Sequence, residues 1–111
     1  MKDYCKMSDF EINKAVALSL GIEVVEWDGK IYGVLERKID NVTSVIGVID
    51  YCNNPSDAWP IIVDNKIWIQ PDMVGDGFWH CMDCNDDIRA KDKNPLRAAM
   101  IVYLMMKDEE K

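Results

Sequence analysis

Apolar positions along the chain change period several times, and each change marks an element. Between Ser8 and Gly21 they fall at Ile12, Ala15, Val16 and Leu20, one face at helical spacing. Ser8 and Glu11 stand three apart, the pattern of a capping box, with Met7 and Ile12 placed as a hydrophobic staple. Gly21 can take the left-handed conformation that ends such a helix. The stretch "IEVVEWDGKIYGVLE" sets β-branched and aromatic runs on either side of Asp28-Gly29, and so predicts a hairpin with a two-residue turn. Val42 to Asp50 predicts a third strand, with Gly47 as a bulge or a close approach. "KIWIQ" and "GFWHCMD" predict a further strand pair across the Pro- and Gly-bearing loop "PDMVGDG". "DIRAKD" adds a short edge strand.

Two segments share a helix-opening grammar: "NPSDAWPII" from Asn54 and "NPLRAAMIV" from Asn94. An asparagine oxygen can cap free backbone N–H groups, and proline at the first helical position has no N–H to leave unsatisfied. In the second segment Asn94 caps and Pro95 opens. In the first, the same reading would put Pro60 inside the helix, where it removes a hydrogen bond and meets a carbonyl. A cap at Ser56 or Asp57 eases that conflict, so the expectation is a short helix from about Asp57 to Asp64. From Ala98 to Met106 the last helix is apolar nearly all round. Such a surface is buried within the chain or meets a second copy, which leaves room for a homodimer through this helix. Asp108–Glu110 sit at its unfavourable dipole end, so fraying is expected there.

Together these elements predict a single α+β domain over residues 1–111. It is an antiparallel sheet of about four to six strands packed with two long helices and one short one. The expected core holds Ile12, Val16, Leu20, Trp59, Ile62, Ile67, Met100, Ile101 and Leu104.

The charge balance narrows the partners. Thirteen basic and twenty acidic residues give a net charge of −7. Nucleic-acid binders replace counterions with Lys and Arg, and the densest basic run here, Arg89, Lys91 and Lys93, is diluted by Asp92. Direct nucleic-acid binding is therefore not expected. No apolar run approaches the length of a membrane span, and the charged start "MKDYCKMSDFE" does not read as an export signal. A cytoplasmic location and four reduced cysteines follow as expectations, and the sequon at Asn41–Thr43 reads as a chance match.

Little of the sequence carries the marks of catalysis. Cys81 and Cys84 form a Cys-x-x-Cys pair beside His80, the weak candidates for a metal, but a structural zinc site needs four ligands. Asp83, Asn85 and Asp87 have calcium-loop spacing, yet the glycine and glutamate places hold Ile88 and Asn94. No cofactor and no catalytic residue is assigned. The densest cluster of special residues is "DYCNNPSDAWPII", Asp50 to Ile62. Its Asn53, Asn54, Asp57 and Trp59 are the candidate ligand or partner contacts, since a polar loop beside an indole can recognise a ligand edge.

"CNNPSDAWPIIVDNKIWI" (Cys52 to Ile69) and "NPLRAAMIVYLMM" (Asn94 to Met106) closely resemble the NinX-like proteins of lambdoid phages and prophages, and "SDFEINKAVALSLG" fits the same family. The resemblance implies a small phage α/β sandwich, an accessory protein in the cytoplasm of the bacterial host, with no established biochemical activity to carry over. The expected function is a non-enzymatic protein-interaction domain with a phage or host protein as partner. Two other readings stand beside it. One is a small-ligand or enzymatic domain with a pocket around Asn53, Asn54, Asp57 and Trp59. The other is an acidic nucleic-acid mimic, which would need a row of carboxylates on one face.

Overall fold

A computed structural model describes residues 3–37, 42–72, 75–85 and 87–109. Asn41 of the sequon and Glu110 of the acidic tail lie outside them. After a single 3-10 turn, Tyr4–Lys6, the order is α1 (Asp9–Ser19), β1 (Val24–Trp27), β2 (Lys30–Arg37), β3 (Val42–Ile49), α2 (Pro55–Asp64), β4 (Trp68–Gln70), β5 (Trp79–Met82), β6 (Arg89–Asp92) and α3 (Pro95–Glu109).

Helix α1 starts on the complete capping box: the Ser8 hydroxyl accepts from the Glu11 amide, and the Glu11 carboxylate accepts from the Ser8 amide. The hairpin turn carries left-handed backbone at both Asp28 and Gly29, the conformation that matches strand twist. Gly47 also has positive φ, and the β2–β3 register skips Ile46 there, so the bulge falls where the glycine permits it. Strands of eight residues make β2 and β3 roughly 26 Å long at ordinary rise. They extend a molecule measuring 55 × 29 × 25 Å.

Helix α2 departs from expectation. Asn54, rather than Ser56 or Asp57, is its cap: the Asn54 side chain accepts from the Ser56 amide at 3.0 Å, and Pro55 opens the helix. Pro60 therefore lies inside the helix after all. Pro60 and Ser56 are both exposed, so the Ser56 carbonyl that loses its partner lies at the surface and not in the core. Asn94 repeats the device at α3, accepting from the Leu96 amide at 3.0 Å. At the far end, fraying does not begin at Asp108. The helix runs to Glu109, and the Tyr4 hydroxyl donates to the Asp108 carboxylate.

Among the described residues the strands form two antiparallel sheets of three, not one: β1-β2-β3 and β4-β5-β6. The chain leaves the first sheet at Ile49 and returns as β4 only after α2 has carried it elsewhere. Helix α3 packs on all three strands of the second sheet and on α1 and α2, while β2 of the first sheet meets α1. Seven consecutive residues of α3, Ala98 to Leu104, are buried by these neighbours. The chain itself covers that much of the apolar run, and Met105 and Met106 beyond it are half-buried.

Two expected core residues are on the surface. Leu20 is 41% exposed because α1 ends at Ser19 and packs through Ile12, Asn13, Val16 and Ala17. Trp59 is 59% exposed because α2 buries Ala58, Ile61 and Ile62. One helical step past Ala58 turns the indole away from that seam. Tyr4, Ile31, Tyr51, Cys52, Cys81, Val102 and Tyr103 join the core in their place.

Candidate functional site

The N-termini of all three α-helices converge on the loop that opens at Asp50. Asn13, on the buried side of α1, bridges to it with both ends of its amide. Its oxygen accepts from the Cys52 backbone N–H at 3.0 Å, and its nitrogen donates to the Asp50 carboxylate at 2.9 Å. Asp57 of α2 accepts from the Asp50 backbone N–H at 3.0 Å. Asn53 donates to Asp9 and to Asp50, each at 3.1 Å, and accepts from Asn94 at 3.0 Å. The Asn94 amide also donates to the Cys52 carbonyl at 2.6 Å while its oxygen caps α3.

Arg97 closes the joint from α3. Its guanidinium donates to Asp9 at 2.6 Å, to Asp92 at 3.0 Å and to the carbonyls of Cys5 and Met7, with its side chain only 12% exposed. Burial by itself would lower its pKa, but the Asp9 hydrogen bond and the charges of Asp92 and Asp9 outweigh it and hold the pKa above the ordinary value. Asp9, Asp50, Asp57 and Asp92 thus each have a guanidinium, side-chain amide or backbone N–H partner. Among the described residues no buried side-chain nitrogen or oxygen lacks a hydrogen bond.

Of the four sequence candidates, Asn53, Asn54 and Asp57 each put a side-chain polar atom into a hydrogen bond within the chain: Asn53 with both ends of its amide, Asn54 through its oxygen and Asp57 through one carboxylate oxygen. Trp59 stands apart from them, exposed on the outer side of α2. The signal for the joint was present in Asn13 and Arg97, a buried amide and a half-buried guanidinium. Apart from Asp92, five residues from Arg97, their partners lie 37 to 92 residues away, beyond the reach of spacing rules.

The Cys-x-x-Cys pair divides. Cys81 is buried beneath α3, its thiol 3.6 Å from the Pro95 carbonyl, whereas Cys84 is exposed. Burial pushes the Cys81 thiol up to about 12. Cys52 is also pushed up to about 12, by burial first and then by the negative charge of Asp9. Both are thiols at neutral pH and poor nucleophiles. His80 pairs with Asp76 at 3.2 Å on the outer face of the second sheet. Among the described residues no group of three His, Cys, Asp or Glu is placed to hold a metal. The loop before β5 is tied down by Asp72, which accepts from the amides of Gly75, Asp76 and Gly77 at 2.7 to 3.0 Å. Those backbone bonds, led by Gly77, lower its pKa.

A wider concave feature lies elsewhere. An open groove of about 830 Å³ runs between α1 and β1, lined by Lys14, Leu18, Ile22, Glu23, Val25 and Glu26 among others. Leu18 is 64% exposed, and Trp27 at the end of β1 is 71% exposed. Val25 and Trp27 lie on one face of the sheet, and Val25 is in register with Tyr32 and, through it, Val48. Sequence reading missed this surface, because Leu18 and Val25 look like ordinary helix and strand apolars. Among the described residues no helix is long and apolar enough to cross a membrane.

A family model described as Bacteriophage P22, NinX matches residues 3–107. No curated protein and no solved structure matches the chain.

Proposed function

Since the chain belongs to this NinX phage family, a match that spans nearly its whole length, we propose that it is a non-enzymatic accessory protein that acts by binding another protein of the phage or its bacterial host. The observation that carries the reading is the set of large apolar side chains left outside the core. Leu18, Ile22 and Val25 line the α1–β1 groove, Trp27 is exposed two residues along β1 from Val25, and Trp59 and Val63 form a second exposed pair one helical turn apart on α2. Contiguous exposed apolar surface marks interaction sites, and aromatic residues are the usual anchors of such contacts. Trp59 is the member of the Asn53, Asn54, Asp57 and Trp59 group left to meet a partner, since the other three support the fold. The nucleic-acid mimic has less support, because four of the carboxylates converge on helix N-termini and Arg97 instead of facing solvent in a row. The net charge of −7 argues against direct nucleic-acid contact.

The test is affinity capture with the full chain as bait from cells carrying the growing phage. A partner recovered in fixed ratio to the bait, and lost from a Leu18→Gln, Trp27→Ser double variant of unchanged stability, is the expected result. Recovery of the bait alone contradicts the proposal.

A further inference from the structure

Among the sheet edges of the described residues, β1 lacks the features that close an edge. On the second sheet, β6 reads Arg-Ala-Lys-Asp, a charged edge, and β4 has three residues followed by Pro71. On the first, β3 is broken by the bulge at Gly47. Charge, proline, short length and bulges are the devices that stop an edge from pairing. Strand β1 reads Val-Val-Glu-Trp and has no proline and no bulge. A two-residue hairpin turn makes the flanking pair, Trp27 and Lys30, a hydrogen-bonded one, and the alternation then puts Val25 in the next such pair. The N–H and C=O groups of Val24 and Glu26 are thereby turned to the outer side, toward the groove.

We propose that this edge is a strand-addition site: an extended segment of the partner pairs along β1 as a fourth strand of the first sheet. The inference rests on the protein-interaction reading and names its surface. Backbone bonds to Val24 and Glu26 hold the segment, and its side chains alternate between two apolar surroundings. Those facing inward enter the groove against Leu18 and Ile22. Those facing outward lie beside Val25 and Trp27. The occupant is therefore apolar on both faces over the length of β1. Its flanks carry Lys or Arg, because the groove offers the carboxylates of Glu23 and Glu26 against the single ammonium of Lys14, which is paired with Glu26. The whole chain adds a charge of −7 behind them. The same charges disfavour a second copy, since pairing β1 with its own image brings Glu23 and Glu26 of both copies to one seam.

The experiment pans a library of random twelve-residue peptides against the full chain, then measures amide hydrogen exchange with the selected peptide bound. Selected sequences are expected to hold an apolar run flanked by Lys or Arg and to slow exchange at the Val24 and Glu26 amides. They should bind the Leu18→Gln variant roughly tenfold more weakly, the loss of one well-buried apolar contact, and the Glu23→Lys variant more weakly still. Leu18 is exposed, so its replacement leaves the core untouched. Selected peptides that leave those amides unprotected and tolerate Leu18→Gln overturn the assignment to β1 while leaving the protein-interaction reading in place. Enrichment of acidic flanks overturns the charge argument and with it the proposed occupant. A dimer in sedimentation that Leu18→Gln dissolves gives the edge to a second copy and overturns it too. Failure to enrich any peptide, together with capture of bait alone from infected cells, overturns both readings.

Discussion

Replacing Asn13 by alanine removes the link between α1 and the Asp50 loop, and its cost can be worked from the contacts. Asn13 is 6% exposed, and its amide makes one bond to a buried backbone N–H and one to a carboxylate. Leaving the Cys52 N–H buried without an acceptor costs about 1–3 kcal/mol, and a hydrogen bond to a charged group is worth about 1.5–3 kcal/mol net. Asp50 keeps the Asn53 amide as a partner, so its share falls at the low end. The expected loss is about 3 kcal/mol, or roughly 12 °C in melting temperature for a chain of this size. Urea unfolding followed by tryptophan fluorescence measures it. Asn53→Ala serves as the control: Asn53 is exposed in the same network, so the loss should stay under about 1 kcal/mol. If Asn13→Ala unfolds within about 0.5 kcal/mol of the parent, the joint is not holding the helices together. The polar cluster would then have to be read again as a site.

Stability should be flat from pH 7 to 9 and fall as the pH rises toward 12. Cys52 and Cys81 are raised from 9 to about 12 and Tyr4 from 10 to about 12, so the folded state favours their neutral forms. That contribution is complete below the unfolded values and lost as pH climbs through the folded ones; a melt series from pH 7 to 12 that stays level would contradict it. In the same protein, a thiol reagent at neutral pH should modify Cys5 and Cys84 quickly and reach Cys52 and Cys81 only on unfolding. Pro60→Ala should stabilise the chain by about 1 kcal/mol, as the helix regains a hydrogen bond against the greater freedom of the unfolded chain. Denaturation showing a loss instead would mean that Pro60 fits α2 without strain.

The parts of this fold readable in the sequence are those decided within a few residues. The capping box at Ser8 and Glu11, the Asp28-Gly29 turn and the Asn94-Pro95 start each depend on neighbours in sequence, and each formed as read. Pro60 argues locally against a cap at Asn54, yet Asn54 is the cap. A surface position lets the helix absorb that proline, and exposure is not visible in a local pattern. The split into two sheets was equally hidden, since strand propensity does not say which strands pair. The misplacement of Leu20 and Trp59 has one cause: a helix seam depends on the angle at which its neighbours approach, and that is a tertiary fact. The candidate loop followed the same logic. Its asparagines and aspartates looked available because their partners, Asn13, Asn94 and Arg97, are distant in sequence.

The central claim is that the Asn53–Asp57 segment builds the fold while the α1–β1 surface meets the partner. Site-specific photo-cross-linking in phage-infected cells tests it most directly, with a photoreactive residue placed in turn at Leu18, Trp27 and Asn53. One cross-linked product of the same mass from Leu18 and Trp27, and none from Asn53, is the expected result. A product from Asn53, with Leu18 and Trp27 silent, would contradict it.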